Sequence, residues 1–286
     1  MMTPATVIND KHTDHLLPAE LLERRVRILL VGCGGTGSSM ATGLVYLHQA
    51  LLAYGHPQGL HVTLVDGDRI SRANCVRQPF SESEVGLYKA DVLATRINLF
   101  WGLDWTAENR FLNEQWDRDA RPFQIIISCV DSRAARKSVT ETRAFGKAHY
   151  WLDLGNNADT GQFVLGEPPR ADQSAVRLPT VADLFPEIID PGLDAKDKLP
   201  SCSALEALES QSPFINQTLA YQALALLAQF FRRGRLTYHG GFLNLQTGRL
   251  APLAINSAVR KGVATEVKPT TSRRRARQNG SAAIPA

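Results

Sequence analysis

Cysteine is scarce and scattered. The 286 residues hold four, at 33, 75, 129 and 202, and no Cys-x-x-Cys pair occurs. Thiolate zinc sites are built from such close pairs, so no zinc is expected. Widely spaced thiols also give no disulfide framework, which fits a reducing, intracellular setting. No basic, apolar, small-residue leader opens the chain, so a secretory signal is not expected and the cytoplasm is the expected location. Long hydrophobic runs are missing too. The most apolar stretch, Leu219–Phe231, is short and interrupted by Gln and Tyr, which excludes a bilayer-spanning helix there. There is no internal repeat, so a solenoid or propeller array is not expected.

What is present suits one large domain with appendages. Hydrophobic residues make up 44%, enough for a sizeable core. The net charge of +4 is unevenly placed: from Arg260 onward there are seven Lys/Arg and one acid, so the remaining 25 basic and 27 acidic residues leave the body near −2. Residues 1–17 are polar and patternless and read as a flexible N-terminus; 18–260 reads as the nucleotide-binding domain. Residues 261–286 are basic and low in aromatics and read as a disordered tail. The block Arg273-Arg274-Arg275 with Arg277 allows a nucleic-acid contact, although a solvated tail is the reading preferred.

The chain is organised around Val26-Arg-Ile-Leu-Leu-Val-Gly-Cys-Gly-Gly-Thr-Gly37. An aliphatic run breaks into glycines at 32, 34, 35 and 37, and the residues from Ser38 to about Tyr54 read as a helix. Strand, glycine turn and helix together raise Gly-x-Gly-x-x-Gly above a bare pattern match. In such a turn Gly32 permits the tight bend, Gly34 lets a phosphate approach the backbone, and Gly37 lets helix and strand pack closely. Amide groups at the helix start then face the anion.

A second strand, His61–Asp66, ends on an acid that can accept hydrogen bonds from ribose hydroxyls. Asp66 lies 29 residues beyond Gly37, where roughly 20 is usual, and the long first helix with its Gly-Pro turn takes up the excess. A polar loop, 67–86, carries Asn74, Arg77 and Gln78; Lys89 opens a helix that runs to about Phe100 with its apolar residues on a helical period. A further strand is expected near 108–112. The near-continuous apolar run Phe123–Val130 reads as a strand covered on both faces. It ends at Asp131 and Ser132, either of which suits the N-cap of a helix through about Gly146. Short strands follow at 151–154 and 161–166, then a stretch without steady period from Pro168 to Pro200. A short helix near 201–209, a longer one at 214–233 and short Gly-separated strands over 235–255 complete the order. The fold class is therefore α/β with a mainly parallel central sheet.

A glycine turn, Asp66, Asn74, Arg77, Lys89 and Asp131 lie on one line of reasoning. An NAD- or FAD-dependent oxidoreductase needs only the turn and the ribose acid. Nucleotidyl transfer also uses the cations and the later carboxylate, since it needs positive charge on phosphates and an acid for a metal. A nucleotide-binding scaffold without catalysis is the third alternative.

At these residues the sequence resembles the ThiF/MoeB/HesA family, relatives of ubiquitin-activating enzymes. The resemblance is carried by Gly-Cys-Gly-Gly-Thr-Gly, Leu64-Val-Asp66-Gly-Asp68, Asn74-x-x-Arg77-Gln78, Val85-Gly86 with Lys89, and Cys129-Val-Asp131. Within the family it is most similar to the ThiF-type proteins of PRTRC systems. The resemblance implies a Rossmann-like ThiF-type fold with a C-terminal helix and short closing strands. It implies ATP-dependent adenylation of the C-terminal carboxylate of a ubiquitin-like or sulfur-carrier-like protein, by a homodimer. By the same resemblance Gly32, Gly34, Gly35 and Gly37 cradle phosphate, Asp66 holds the ribose, and Asn74, Arg77 and Lys89 bind phosphates. Asp131 holds magnesium, and Cys202 is a candidate for a covalent acyl intermediate. Two departures stand out. The family's paired zinc cysteines are absent, and Arg24-Arg25 lies too close to the first strand to match the family's Tyr-x-Arg-Gln segment.

Overall fold

The computed structural model describes residues 14–112, 122–170, 177–194 and 212–255. The expected helix near 201–209, Cys202 and the basic tail lie outside the described residues, as do residues 1–13. Residues 14–17 are held in place. Strand β1 (His15–Leu16) pairs with β8 (Arg235–Leu236), Asp14 pairs with Arg235 at 3.0 Å, and His15 Nε2 lies 2.8 Å from the Tyr150 hydroxyl.

After a one-turn helix α1 (Glu20–Glu23), the chain builds β2 (Val26–Val31), α2 (Gly35–Ala53), β3 (Leu60–Val65), α3 (Lys89–Trp101), β4 (Thr106–Glu108) and β5 (Ile125–Ser128). Helices α4 (Arg133–Thr140) and α5 (Arg143–Lys147) lead into β6 (Tyr150–Asn156) and β7 (Thr160–Gly166). Helix α6 (Val181–Leu184), helix α7 (Ile215–Arg233), β8, β9 (Tyr238–Asn244) and β10 (Arg249–Ala254) follow.

Eight strands form one sheet in the order β10-β9-β7-β6-β5-β2-β3-β4. The pairs from β4 to β6 are parallel and those from β6 to β10 antiparallel. The apolar runs follow from burial on both faces. Ile28 and Leu30 join Ile125 and Ile127 in a core shared with α2, α3 and α7. Leu29 and Val31 join Ile126 in a second core with Val139, Phe145 and Val181. The architecture is α/β with a mainly parallel centre.

Several boundaries differ from the sequence expectation. Helix α2 begins at Gly35 rather than Ser38, because Gly34 already takes the extended N-cap conformation. The strand expected near 108–112 lies at 106–108. Thr106 is in register with Thr63, their hydroxyls 2.9 Å apart, while Phe111 and Leu112 turn toward the cavity described below. The helix expected from 132 to 146 is broken in two. Thr142 is extended, with its hydroxyl accepting from Phe145 N and starting α5 afresh. The stretch from 168 contains α6 and two 3-10 turns at 186–189 and 191–193.

Candidate active site

The carboxyl ends of β2, β3, β5 and β6 open onto a cavity of about 1260 Å³, where open parallel sheets bind ligands. The glycine turn forms one wall. Gly32 has φ +88°, and a Cβ there would lie 2.7 Å from the Cys129 carbonyl oxygen. A Cβ on Gly37 would stand 1.8 Å from the Gly32 carbonyl oxygen, so α2 can press on the turn only without a side chain. A Cβ on Gly34 would meet only Gln78 Nε2, at 3.8 Å, an ordinary contact. Gly35 is packed rather than open: a Cβ there would meet the Asn216 amide nitrogen at 2.6 Å. Thr36 ties the turn to α7 by donating to Asn216 Oδ1 at 2.8 Å. No side chain caps α2, so its first turn is suited to an anion.

Asp66, at the end of the neighbouring strand β3, braces the glycine turn. Its Oδ2 accepts the Cys33 backbone N–H at 2.6 Å and its Oδ1 that of Asp68 at 2.7 Å. Burial raises its pKa, and the two backbone donors and nearby Lys89 oppose that shift. Lys89 is itself buried, with Nζ 2.9 Å from Asp68 Oδ2; it is no solvated first-turn lysine. Asn74 is fixed by a turn in which its Oδ1 accepts the Ser71 N–H at 2.9 Å. Arg77 and Gln78 follow it on the cavity wall.

Asp131 is exposed at the cavity rim after β5. Ser132, not Asp131, caps α4, accepting the Ala135 N–H at 3.2 Å. Asp194, about 60 residues further along the chain, takes the helix's first two donors, Arg133 N at 2.9 Å and Ala134 N at 3.0 Å. The start of α4 is thus already occupied by a carboxylate, whereas that of α2 is not. Beneath this turn lies a buried polar cluster of Ser128, Arg136, Trp151 and Asp153.

Of the residues expected from sequence, Gly32, Gly34, Gly35, Asp66, Asn74, Arg77, Lys89 and Asp131 line this one cavity. Gly37 sits beneath it, and Cys202 lies outside the described residues. Sequence reasoning missed Asn216, Arg136, Asp153 and Asp194. Asp153 carried a signal, a charge inside the apolar strand Trp151–Leu154; the others act over distances that no local pattern reveals. Cys33 and Cys129 have thiols pushed up chiefly by burial, so neither suits a nucleophile.

Among the described residues no group of three His, Cys, Asp or Glu could hold a metal by itself. Magnesium carried by a nucleotide needs only one or two carboxylates besides phosphate and water, and the exposed carboxylate of Asp131 fits that need. Among the described residues, no helix is long and apolar enough to cross a membrane.

A family model described as ThiF family matches residues 19–258. Among curated proteins, no sequence matches the chain. The fold is similar to that of PaaA, at 17% identity and a TM-score of 0.53, over 80% of this chain and 64% of that one. It is also similar to Escherichia coli MccB crystallised with AMPCPP and MccA, at 18% identity and a TM-score of 0.54, over 86% of this chain and 66% of that one. MccB with ATP gives 17% identity and a TM-score of 0.52, over 82% and 65%. The chain therefore spans about two thirds of the length of these structures, and the likeness is one of fold.

Proposed function

This chain belongs to the ThiF family, and on that premise we propose that it adenylates a carboxylate at the end of a protein or peptide chain, using ATP. The observation that carries the proposal is the convergence of an uncapped helix start behind a glycine turn, the cations Arg77 and Lys89, and the carboxylate of Asp131 on one cavity. An oxidoreductase would have use for the turn and Asp66 but not for that set.

In the proposed reaction an oxygen of the acceptor carboxylate attacks the α-phosphorus of ATP. The bond from that phosphorus to the bridging oxygen of the β-phosphate breaks, leaving acyl-adenylate and pyrophosphate. Gly34 keeps the turn open to phosphate, and the first amides of α2 face it. Asp66 accepts the ribose hydroxyls with the lone pairs that Cys33 N and Asp68 N leave over. Asn74, Arg77 and Lys89 bind the phosphates; Lys89 exchanges its Asp68 partner for a more highly charged one. Asp131 would hold magnesium, which offsets charge on the departing pyrophosphate. The resemblance of the motifs supports a ubiquitin-like or sulfur-carrier-like protein as the substrate, a homodimer as the active form, and 18–260 as the catalytic unit.

The test is ATP–pyrophosphate exchange with candidate small proteins ending in Gly. Exchange is expected with a cognate partner, and Asp131→Ala should abolish it without changing the circular dichroism spectrum. A purified protein that binds ATP yet exchanges with no partner would favour a scaffold, and a bound flavin spectrum would favour an oxidoreductase.

A further inference from the structure

The buried cluster under the cavity has a geometry that bears on Asp131. Asp153 lies in the middle of β6 and is wholly buried. Its Oδ1 accepts the Ser128 hydroxyl at 2.6 Å. Arg136 Nε donates to both carboxylate oxygens, at 3.1 and 3.2 Å. The Trp151 indole N–H donates to Ser128 Oγ at 2.7 Å, fixing the direction of the hydroxyl. Arg136 Nη2 reaches the Leu154 carbonyl at 3.3 Å and fills the space a Cβ on Gly155 would need, at 2.7 Å.

Ser128 is the last residue of β5 and Arg136 stands one turn into α4. One carboxylate therefore grips both ends of the turn that carries Asp131, three residues after Ser128 and five before Arg136. An ion pair this buried is not explained by stability alone, because desolvation offsets much of its attraction. Its effect is to fix how strand end and helix start sit relative to each other.

We propose that Asp153, acting through Ser128 and Arg136, is a positioning residue that sets the carboxylate of Asp131 for a divalent cation. The proposal rests on the adenylation reading only in the role that reading gives Asp131. Groups behind a metal ligand tune it by orienting it; here the hold is on the chain either side of Asp131 rather than on its side chain.

Asp153→Asn leaves Arg136 buried without a counter-charge and is a poor first probe, since it tests folding as much as function. Ser128→Ala removes one grip and keeps the ion pair, while Ser128→Thr keeps the hydroxyl. Binding of Mn²⁺ in the presence of a non-hydrolysable ATP analogue, followed by electron paramagnetic resonance, reads the cation directly. Ser128→Ala should weaken Mn²⁺ binding about tenfold, the low end for such supporting groups. Its metal-free affinity for the analogue should stay unchanged, and Ser128→Thr should restore most of the loss. In the ligand-free protein, hydrogen exchange over 129–136 should rise in Ser128→Ala. Parent-like Mn²⁺ binding in a folded Ser128→Ala would overturn the positioning role and leave the adenylation reading standing. Failure of the parent itself to bind Mn²⁺ with the analogue would overturn the role of Asp131, and the proposal with it.

Discussion

Asp66 Oδ2 accepts the backbone N–H of Cys33 at 2.6 Å, joining the end of β3 to the middle of the glycine turn. With Asp68 N on its other oxygen, Asp66 shapes the turn and the cavity wall together. Asp66→Ala should cost about 2–4 kcal/mol, because it leaves two poorly solvated N–H groups without an acceptor. Asp66→Asn keeps one carbonyl oxygen and should cost less. Urea denaturation gives the stabilities and calorimetry the ATP affinity. A stable Asp66→Ala with parent-like ATP binding would remove Asp66 from both roles.

The parallel centre of the sheet was legible because its strands are buried on both faces, and their aliphatic runs end abruptly at Gly32, Asp66 and Asp131. The turn itself was legible because glycine is the residue for a φ of +88° at 32 and for the close approach at 37. Local hydrogen bonds escaped the reading. The break between α4 and α5 depends on Thr142 accepting from Phe145 N, a choice that helical periodicity does not express. The partners of the site escaped it for another reason. Asp153, Asp194 and Asn216 reach the turns by tertiary contact, and one sequence carries no record of which distant side chains meet.

Lys89 and Arg77 are the cations to remove. Lys89→Ala and Arg77→Ala should each lower pyrophosphate exchange by at least about tenfold, as loss of a fixed charge beside a phosphate does. Lys89→Ala also leaves Asp68 unpaired near the phosphates, so its effect should be the larger. Adding Asp68→Asn to Lys89→Ala should recover part of that excess. Exchange at the parent rate in both single variants would mean that the phosphates lie elsewhere.

His239 gives a dependence on pH. Its Nδ1 lies 2.7 Å from the Leu165 carbonyl, Nε2 has no hydrogen-bond partner among the described residues, and burial lowers the pKa to about 4. The folded state therefore holds the neutral ring. Above the ordinary value of 6.5 folded and unfolded chains are alike in this respect. As pH falls below it the unfolded chain takes the proton first, and stability is lost until about pH 4, where the native ring also titrates. At about 1.4 kcal/mol per unit the loss approaches 3 kcal/mol. Asp66, with its raised pKa, acts in the opposite direction, so the measurement is a difference. Unfolding free energies of the parent and His239→Asn, taken from pH 7 to pH 4, should diverge by about that amount. Parallel curves would show that His239 takes up its proton without penalty.

The thiols differ in their surroundings, and this bears on whether the proposed reaction stops at the adenylate. Cys33 is buried within the glycine turn, and its thiol is raised well above the ordinary value; that of Cys129 is raised too. Both should resist alkylation by iodoacetamide in the native protein at pH 8, since the thiolate is the reacting form. Mass spectrometry should find them unmodified after Cys75 has reacted. A covalent acyl intermediate must then use Cys75 or Cys202. Cys202 stands in Lys198-Leu-Pro-Ser-Cys-Ser, with Lys196 nearby in sequence, and a cation held beside a thiol favours the thiolate. In the intermediate its sulfur would attack the adenylate carbonyl and release AMP, forming a thioester. Incubated with ATP and a cognate partner, the enzyme should form an adduct that thiols cleave, and Cys202→Ala should lose it while Cys75→Ala keeps it. An adduct that survives Cys202→Ala would exclude that residue. Its absence from a parent that plainly makes adenylate would describe an enzyme whose own part ends there.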